Sequence, residues 1–295
     1  RRPGELPRRP RRRSARDHAG RVLRRSLQPF VGGKPLPGDA LIGFDIPAHD
    51  GGRIDAETVL RVTLSLLGAD FARLVTSGQV AGLVVIGQLT WHEHLNRLHS
   101  EGIQLAVWGA ALPDAEYPVV GGDNEQGGYL ATRHLLSRGC KKIAFLGDIR
   151  HTEIEMRYLG YQDALRAAGI KAEPALQLNT DFTAQAGYLQ TQQALFSQLG
   201  TLDGIFAASD AIAMGAMKAL LEHNIKVPQQ VALVGFDDIA MSAYCTPSLT
   251  TVKQDTHAGG KLLVAQLLSR INGSKAASQL LPVKLIERQS SLRRN

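Results

Sequence analysis

Short apolar runs alternate with helix-length amphipathic segments along most of the chain, and this alternation is the strongest constraint on its fold. The apolar runs span 80–87, 103–109, 142–148, 202–210 and 231–236. Segments between them carry apolar residues at helical spacing and stop at glycine or asparagine, at 91–102, 125–139, 154–169 and 211–224. Strands separated by helices of about 10–15 residues predict an α/β fold of parallel sheets with both faces covered.

The first part of the chain follows this pattern less regularly. Residues 39–52 predict an opening strand and its loop, and residues 61–67 predict the second strand. Too few residues separate the two for a full helix, so the opening of the fold is predicted to be compressed.

The positive charge of the chain is concentrated near its start. Residues 1–25 contain eleven arginines and two acidic residues, so the remainder is close to neutral within a net charge of +7. A block of like charges predicts a disordered tail. Two interpretations stay open: a solvated tail, and a segment that contacts nucleic acid without sequence preference.

Several classes of protein are disfavoured by what the sequence lacks. No apolar run reaches the roughly 18–20 residues of a membrane helix, and the start has no signal-peptide pattern. Cys140 and Cys245 are the only cysteines, too few for a disulfide framework, which favours a cytoplasmic protein.

Motifs for catalysis and for cofactors are also missing. The chain has no G-x-G-x-x-G, no phosphate-binding P-loop and no G-x-S-x-G. His92, His94 and His99 share one predicted helix without the H-E-x-x-H spacing, so a solvated face is favoured over a metal site. We therefore predict no catalytic residues, no metal and no cofactor.

Polar side chains follow the predicted strands where a ligand site would lie. In parallel sheets, ligands bind outside the carboxyl ends of the strands. The candidates are Asp237, Arg157, Asp123, Ser209 and Trp108. Carboxylates accept from vicinal hydroxyls, a guanidinium donates in a planar fork, and an indole offers an apolar face to a sugar ring. The set therefore predicts a polyhydroxyl ligand.

Each candidate also has a purely structural interpretation. Asp123 and Ser209 are preferred residues for capping the helices that follow them. Arg157 fits an ordinary surface position on an amphipathic helix, and Trp108 fits the core. Asp238, next to Asp237, is predicted to be a turn residue exposed to water.

Four stretches resemble a known protein family. They are "GGDNEQGGYLATRHLLSRGCKKIAFLGD", "RYLGYQDALRAAGI", "DGIFAASDAIAMGAMKALLEHNIKVPQQVALVGFDDI" and "PSLTTVKQD". Together they resemble the effector-binding domain of lactose/galactose-repressor (LacI/GalR-type) transcription factors, which is similar to periplasmic sugar-binding proteins. The resemblance covers about Ala69 to Arg288. It implies two Rossmann-like lobes joined by three crossing strands, with a sugar or sugar derivative held between them.

The resemblance also implies site residues and lobe boundaries. It carries effector contacts over to Asp123, Arg157, Ser209 and Asp237, and places Trp108 near an aromatic cleft position. The first lobe would hold residues 39–139 and 253–275, and the second lobe 140–252 and 276–290. Residues 1–38 would be a basic tail or linker remnant.

The partners implied are a homodimer and operator DNA, with the effector controlling operator binding by allostery. The family binds DNA through a helix-turn-helix, and its T-x-x-D-V-A-x-x-A-G-V-S pattern is not present in this sequence. Two rival functions stay open: a solute-binding protein for sugar uptake, and a sugar- or nucleotide-active enzyme with the same layout.

Overall fold

The computed structural model describes most of the chain after residue 79. The described ranges are 80–88, 92–196 and 202–292, together with backbone strands at 30–31, 34–35, 41–47 and 61–65. The basic tail predicted over residues 1–38 lies outside the described residues, apart from the two shortest of these strands.

Fourteen strands and six helices are described. In chain order, the strands are β1 (Phe30–Val31), β2 (Lys34–Pro35), β3 (Leu41–Pro47), β4 (Arg61–Ser65), β5 (Val80–Ile86), β6 (Leu105–Trp108), β7 (Val119–Gly122), β8 (Ile143–Leu146), β9 (Gln177–Leu178), β10 (Gly204–Ala207), β11 (Ala232–Asp237), β12 (Thr250–Lys253), β13 (Gln279–Leu281) and β14 (Lys284–Ile286). The helices are α1 (His92–Ser100), α2 (Asn124–Ser137), α3 (Thr152–Ala167), α4 (Ala184–Phe196), α5 (Asp210–Glu222) and α6 (Thr256–Ile271).

The strands form two six-stranded sheets and one small hairpin of β1 with β2. The first sheet has the order β13-β7-β6-β5-β3-β4, and the second has the order β14-β12-β11-β10-β8-β9. Parallel pairs make up the centre of both sheets. The predicted α/β fold with parallel sheets is therefore confirmed.

Strands at the margins depart from the parallel arrangement. β3 runs antiparallel to both β4 and β5, and β14 runs antiparallel to β12. Only thirteen residues separate β3 from β4. That length is close to the minimum of about a dozen residues that a parallel crossover needs, which favours the antiparallel pairing.

In the first sheet, β5, β6 and β7 are buried on both faces, as their continuous apolar runs predict. Successive residues point to opposite faces, so Leu83 and Val85 of β5 pack with Leu95 and Leu98 of α1. Val84, between them in the chain, packs on the other face with Leu263 and Leu267 of α6.

The second sheet carries the larger core. Phe145, Phe206 and Phe236 from three of its strands are fully buried in one cluster with Leu135 of α2 and Ile212 of α5. Phe145 and Phe206 meet edge to face with their ring centroids 5.3 Å apart, a favoured geometry for aromatic pairs.

The chain crosses between the sheets three times, as the fold prediction required. It crosses from β7 to α2, from β12 to α6, and from β13 to β14. The first crossing is bonded to the third, because Asp123 N donates to Leu281 O at 3.0 Å. We call the first sheet with α1 and α6 the first lobe, and the second sheet with α2 to α5 the second lobe.

Two predicted lobe boundaries need correction. The boundary after residue 139 placed α2 in the first lobe, but Ala131 and Leu135 of α2 are buried against the second sheet. Conversely, β13 pairs with β7 in the first sheet, although it lies in the 276–290 segment predicted for the second lobe. The sequence pattern gave helix and strand positions, but it did not show which sheet each apolar face covers.

Candidate functional site

Asp237 ends β11 at the carboxyl edge of the second sheet, in an unusual backbone conformation. Its φ is 112°, a region that costs a non-glycine residue on the order of 1–3 kcal/mol. Its carboxylate Oδ1 accepts from Nε2 of Gln254 at 2.9 Å and lies 3.9 Å from Nη2 of Arg157. Burial raises the pKa of Asp237, and the charge of Arg157 opposes that rise. The side chain is one-third exposed, so its carboxylate can accept from a ligand.

Arg157 of α3 is held beside Asp237 by three contacts. Its Nε donates to Oδ1 of Asn124 at 2.8 Å, and its Nη1 donates to the carbonyl of Ala208 at 2.5 Å. The guanidinium carbon lies 3.7 Å from the centroid of the Phe236 ring. Arg157 is only 5% exposed, which contradicts its interpretation as an ordinary surface residue. Burial lowers its pKa, against the charge of Asp237.

The glycines around Arg157 explain how α3 brings it so close to α2. A Cβ on Gly160, one turn after Arg157, would lie 1.9 Å from the carbonyl oxygen of Glu125. A Cβ on Gly128 would lie 2.0 Å from the carbonyl oxygen of Arg157 itself. The two helices therefore touch backbone to backbone, and this contact fixes the position of the guanidinium.

Ser209 follows β10 and caps α5. Its Oγ accepts from Ile212 N at 3.3 Å, and the residue is buried. The hydroxyl of Ser209 is thus a helix cap, one of the two roles considered for this residue. The carbonyl of the preceding residue, Ala208, accepts from Arg157, so Ser209 is adjacent in sequence to the Arg157 site.

Asp210, next to Ser209, is a fully buried carboxylate that sequence reasoning did not select. It accepts from Thr251 Oγ1 at 2.5 Å, from Ser242 Oγ at 2.6 Å and from Ile239 N at 2.9 Å. Burial raises its pKa to about 6, although these three hydrogen bonds oppose the shift.

The raised pKa of Asp210 predicts that the free energy of unfolding falls as pH rises. Between about pH 4 and pH 6 the folded state keeps the proton that the unfolded chain has lost. Two pKa units of difference correspond to about 3 kcal/mol. Urea unfolding of wild type and Asp210→Asn across this range should show their stability difference changing by that amount. A constant difference would contradict the prediction.

Asp123 caps α2 and touches neither Asp237 nor Arg157 within the described residues. Its Oδ1 accepts from Gln126 N at 2.9 Å. The carboxylate borders a cavity of about 370 Å³ between α2, α3 and β13, together with Tyr129 and Leu280. Its neighbour Asn124 is the residue that bonds to Arg157.

Trp108 lies in the first lobe, apart from the second-lobe cluster. Its ring packs against α6, where a Cβ on Gly259 would come within 2.0 Å of it. It also packs against the buried cluster of Val84, Ala106 and Leu263. Trp108 is therefore partly buried and packs onto the core of the first lobe.

This packing predicts opposite effects for two adjacent glycines. Gly259→Ala should lower the free energy of unfolding by about 1–3 kcal/mol, because its methyl group overlaps the rigid indole. Gly260→Ala meets no atom within 4 Å and should raise stability by about 0.5–1 kcal/mol. Urea unfolding of both variants checks this, and similar values for the two would refute the placement of Trp108.

The prediction that Asp238 is exposed to water is wrong. Its carboxylate pairs with Nη2 of Arg288 at 2.6 Å and with Nζ of Lys253 at 3.7 Å, and its side chain is 11% exposed. Its φ of 55° does match a turn. The carboxylate points inward because two cations lie next to it: Lys253 at the end of β12 and Arg288 just after β14.

Three further groups at the carboxyl edges are not among the five candidates chosen from the sequence. Gln254 is nearly buried and positions Asp237, and Asn124 positions Arg157. Phe182, after β9, is exposed and packs its ring 5.4 Å from that of His151. Asn124 follows "GGD" and Gln254 follows "TVK", and these positions at the lobe crossings were the sequence feature that could have identified them. For Phe182 the only such feature was an aromatic residue in a polar loop.

One hydrogen bond joins the two lobes near this edge. The backbone N of Gln88, after β5, donates to Oε1 of Glu153 in α3 at 3.3 Å. Gln88 is itself fixed, since its side chain bonds to Ala110 N at 2.7 Å and to Tyr117 Oη at 3.0 Å. This bond places the carboxyl end of β5 against the first turn of α3.

Two features are absent from the described ranges 80–88, 92–196 and 202–292. No helix there is long and apolar enough to cross a membrane. No group of three or more His, Cys, Asp or Glu side chains in the same ranges is arranged to hold a metal ion.

Comparison with known proteins identifies what this arrangement is similar to. Residues 132–291 match the family described as "Periplasmic binding protein-like domain". The chain is 30% identical over 227 residues to the HTH-type transcriptional regulator RegA of Clostridium saccharobutylicum, covering 76% of this chain and 68% of RegA. It spans between 54% and 68% of the length of the curated relatives compared with it.

Two solved structures extend the comparison. The transcriptional regulator CelR in complex with cellobiose matches with a TM-score of 0.71 and 26% identity, over 76% of this chain and 69% of that chain. A LacI family transcriptional regulator from Enterococcus faecium with bound ribose matches with a TM-score of 0.66 and 30% identity, over 75% of this chain and 84% of that chain.

Proposed function

The chain belongs to the LacI family of transcriptional regulators, and we propose that its two lobes form the effector-binding and dimerisation domain of such a regulator. The effector would be a sugar or sugar derivative bound in the cleft. The observation that carries this proposal is the pairing of Arg157 with Asp237 on the Phe236 ring at the carboxyl edge. Cellobiose and ribose in the two similar structures support a sugar.

The chemistry of this pair suits a ligand with neighbouring hydroxyl groups. Asn124 and Ala208 fix the orientation of the Arg157 guanidinium before any ligand binds. Asp237 supplies acceptor oxygens in a partly exposed carboxylate. Charge-assisted hydrogen bonds of this kind are about twice as strong as neutral ones, so they would dominate recognition. Ser209 and Asp123 each cap a helix, and they would contact the ligand through the hydrogen bonds that their side chains can still form. Trp108 is not proposed as a contact.

Regulation would follow from differential affinity. A ligand shifts the balance between open and closed lobes only to the extent that it binds one state better. In the closed state, ligand contacts would add to the Gln88–Glu153 bond between the lobes. Operator binding would be carried by a helix-turn-helix, whose T-x-x-D-V-A-x-x-A-G-V-S pattern is not present in this sequence. A regulator of DNA would act in the cytoplasm.

The relatives favour regulation over the two rival functions. RegA and the proteins in the two solved structures are all transcriptional regulators, and this shared role supports regulation. The proposal therefore includes no enzymatic step.

Self-association is proposed through the segment after Asp238, which we call the apolar loop (residues 239–244). It exposes Ile239, Met241 and Tyr244 at 43%, 59% and 81%. Large apolar side chains exposed together are typical of an interface, and a second copy of the chain would cover them. Met241→Asp should shift the protein from dimer to monomer in light scattering after gel filtration, whereas Leu189→Asp, at an exposed position on α4, should not.

The effector proposal is tested by a thermal-shift scan against sugars, phosphosugars, nucleosides and purines. A ligand at about 100 times its Kd stabilises the fold by about 2.7 kcal/mol, which raises the melting midpoint by several degrees. We expect a sugar to produce this shift. A shift with purines alone would replace the proposed effector class, and no shift with any compound would count against the cleft as a sugar site.

A further inference from the structure

Asp210 joins three parts of the second lobe through a single carboxylate. It begins α5 directly after Ser209, its Oδ1 accepts from Thr251 of β12, and its Oδ2 accepts from Ser242 and Ile239. The last two residues belong to the apolar loop. β12 is the strand that leads out of this lobe at the second crossing, so one buried group touches the cleft edge, the crossing and the loop.

The surroundings are shaped to keep this carboxylate in place. Gly235 lies in β11 beside it, and a Cβ there would come within 2.3 Å of its Oδ1. Ile239 N has its acceptor in Asp210 rather than in regular secondary structure, because the chain turns after Asp238. Beyond Ser242, the loop is bonded back to the lobe by Leu249 N, which donates to the Ser242 carbonyl at 2.8 Å. Ser242 is thus fixed at both its side chain and its backbone.

The exposed face of the apolar loop depends on these bonds. Ile239 and Met241 flank Ala240 at the start of the short 3-10 turn Ala240–Ala243, with Ser242 buried beneath them. Ser242 is the residue of that turn that points inward, and its hydroxyl ends on Asp210. If this bond is lost, the Asp210 carboxylate holds the loop only through Ile239 N, at the start of the turn.

We infer that Asp210 is the positioning residue that fixes the apolar loop to the second lobe and thereby sets the shape of the dimer surface. This inference rests on the proposed function, because it takes the apolar loop to be that surface. Asp210 touches neither the effector nor the partner in this scheme. It acts through Ser242 and Ile239.

Two substitutions of the aspartate separate positioning from mere charge. Asparagine can keep the network: its oxygen replaces Oδ2 as acceptor for Ile239 N and Ser242, and its amide donates to a turned Thr251 hydroxyl. Alanine leaves all three donors without their acceptor. Asp210→Ala should weaken dimerisation about 10-fold or more, the scale on which hydrogen bonds to a charged group contribute. Asp210→Asn should restore it.

Two substitutions of the donors separate the loop from the rest of the fold. Ser242→Ala removes an anchor of the apolar loop and should weaken the dimer. Thr251→Val removes the bond to β12 and also the hydroxyl that accepts from Asp238 N at 3.3 Å, just before the apolar loop. It should lower the melting midpoint and change the dimer constant much less than Ser242→Ala does. A general structural role of Asp210 would make these two variants alike.

The experiment is analytical ultracentrifugation of the full chain and these four variants, with hydrogen exchange of peptides covering 238–244. We expect faster exchange of those peptides in Asp210→Ala and Ser242→Ala, together with a weaker dimer. Unchanged dimer constants in both, while Met241→Asp still gives monomers, would overturn the inference alone. If Met241→Asp also leaves the dimer intact, the proposed interface fails first. If Asp210→Ala does not fold, Ser242→Ala and Thr251→Val still decide the question.

Discussion

Replacing Asp237 with asparagine is expected to weaken the affinity for a sugar effector by about 10- to 100-fold, the range that 1.5–3 kcal/mol for a hydrogen bond to a charged group implies. The substitution changes little else. Asparagine tolerates positive φ, which is 112° here, and its oxygen can still accept from Gln254. Because burial raises the pKa of Asp237, a neutral side chain also removes a cost in the free protein. The melting midpoint without ligand should therefore hold or rise.

The neighbouring aspartate provides a matched control. Asp238 has the same side chain and a positive φ, but its carboxylate pairs with Arg288 and Lys253. Asp238→Asn should lower the melting midpoint and leave sugar affinity unchanged. Titration calorimetry of both variants with the sugar found by thermal shift makes the comparison. Equal affinity of wild type and Asp237→Asn would remove Asp237 from the site.

The sequence predicted the α/β alternation because it depends on local patterns. Apolar runs such as 142–148 and glycine stops such as Gly139 reflect the residues within one strand or one helix end. The same reasoning misplaced α2, since Ala131 and Leu135 could cover either sheet as far as their spacing shows. Lobe membership is a tertiary property, and it depends on which apolar face is left uncovered after the chain crosses.

The sequence predicted site residues that end a strand better than residues that act by holding them in place. Asp237 and Ser209 were selected from their positions at strand ends, and both lie at the carboxyl edge of the second sheet. Trp108 also ends a strand, but its side chain turns toward Gly259 of α6, a direction that depends on packing. Gln254 and Asn124 act by holding Asp237 and Arg157, and such roles depend on contacts between segments far apart in the chain.

The largest loss of stability, accompanied by a loss of binding, is expected from Gly160→Ala. The new Cβ would lie 1.9 Å from the carbonyl oxygen of Glu125 and 2.6 Å from Tyr129 N. Both are backbone atoms of α2, so no side-chain rotation can relieve the overlap and the two helices must separate. We expect the free energy of unfolding to fall by at least about 3 kcal/mol, the upper part of the range for overpacked cores. Chemical denaturation monitored by circular dichroism measures this.

The binding effect of Gly160→Ala follows from the same separation. Arg157 lies one turn before Gly160, and its Nε bond to Asn124 spans the two helices at 2.8 Å. Moving α3 away from α2 stretches that bond and shifts the guanidinium relative to Asp237. Folded Gly160→Ala protein should therefore bind the sugar more weakly, whereas Leu159→Ala, at an exposed neighbouring position, should match wild type in both measurements. Wild-type affinity in a destabilised Gly160→Ala variant would show that the helix contact supports the fold alone. Weaker binding would show that a glycine with no ligand contact sets the geometry of the site.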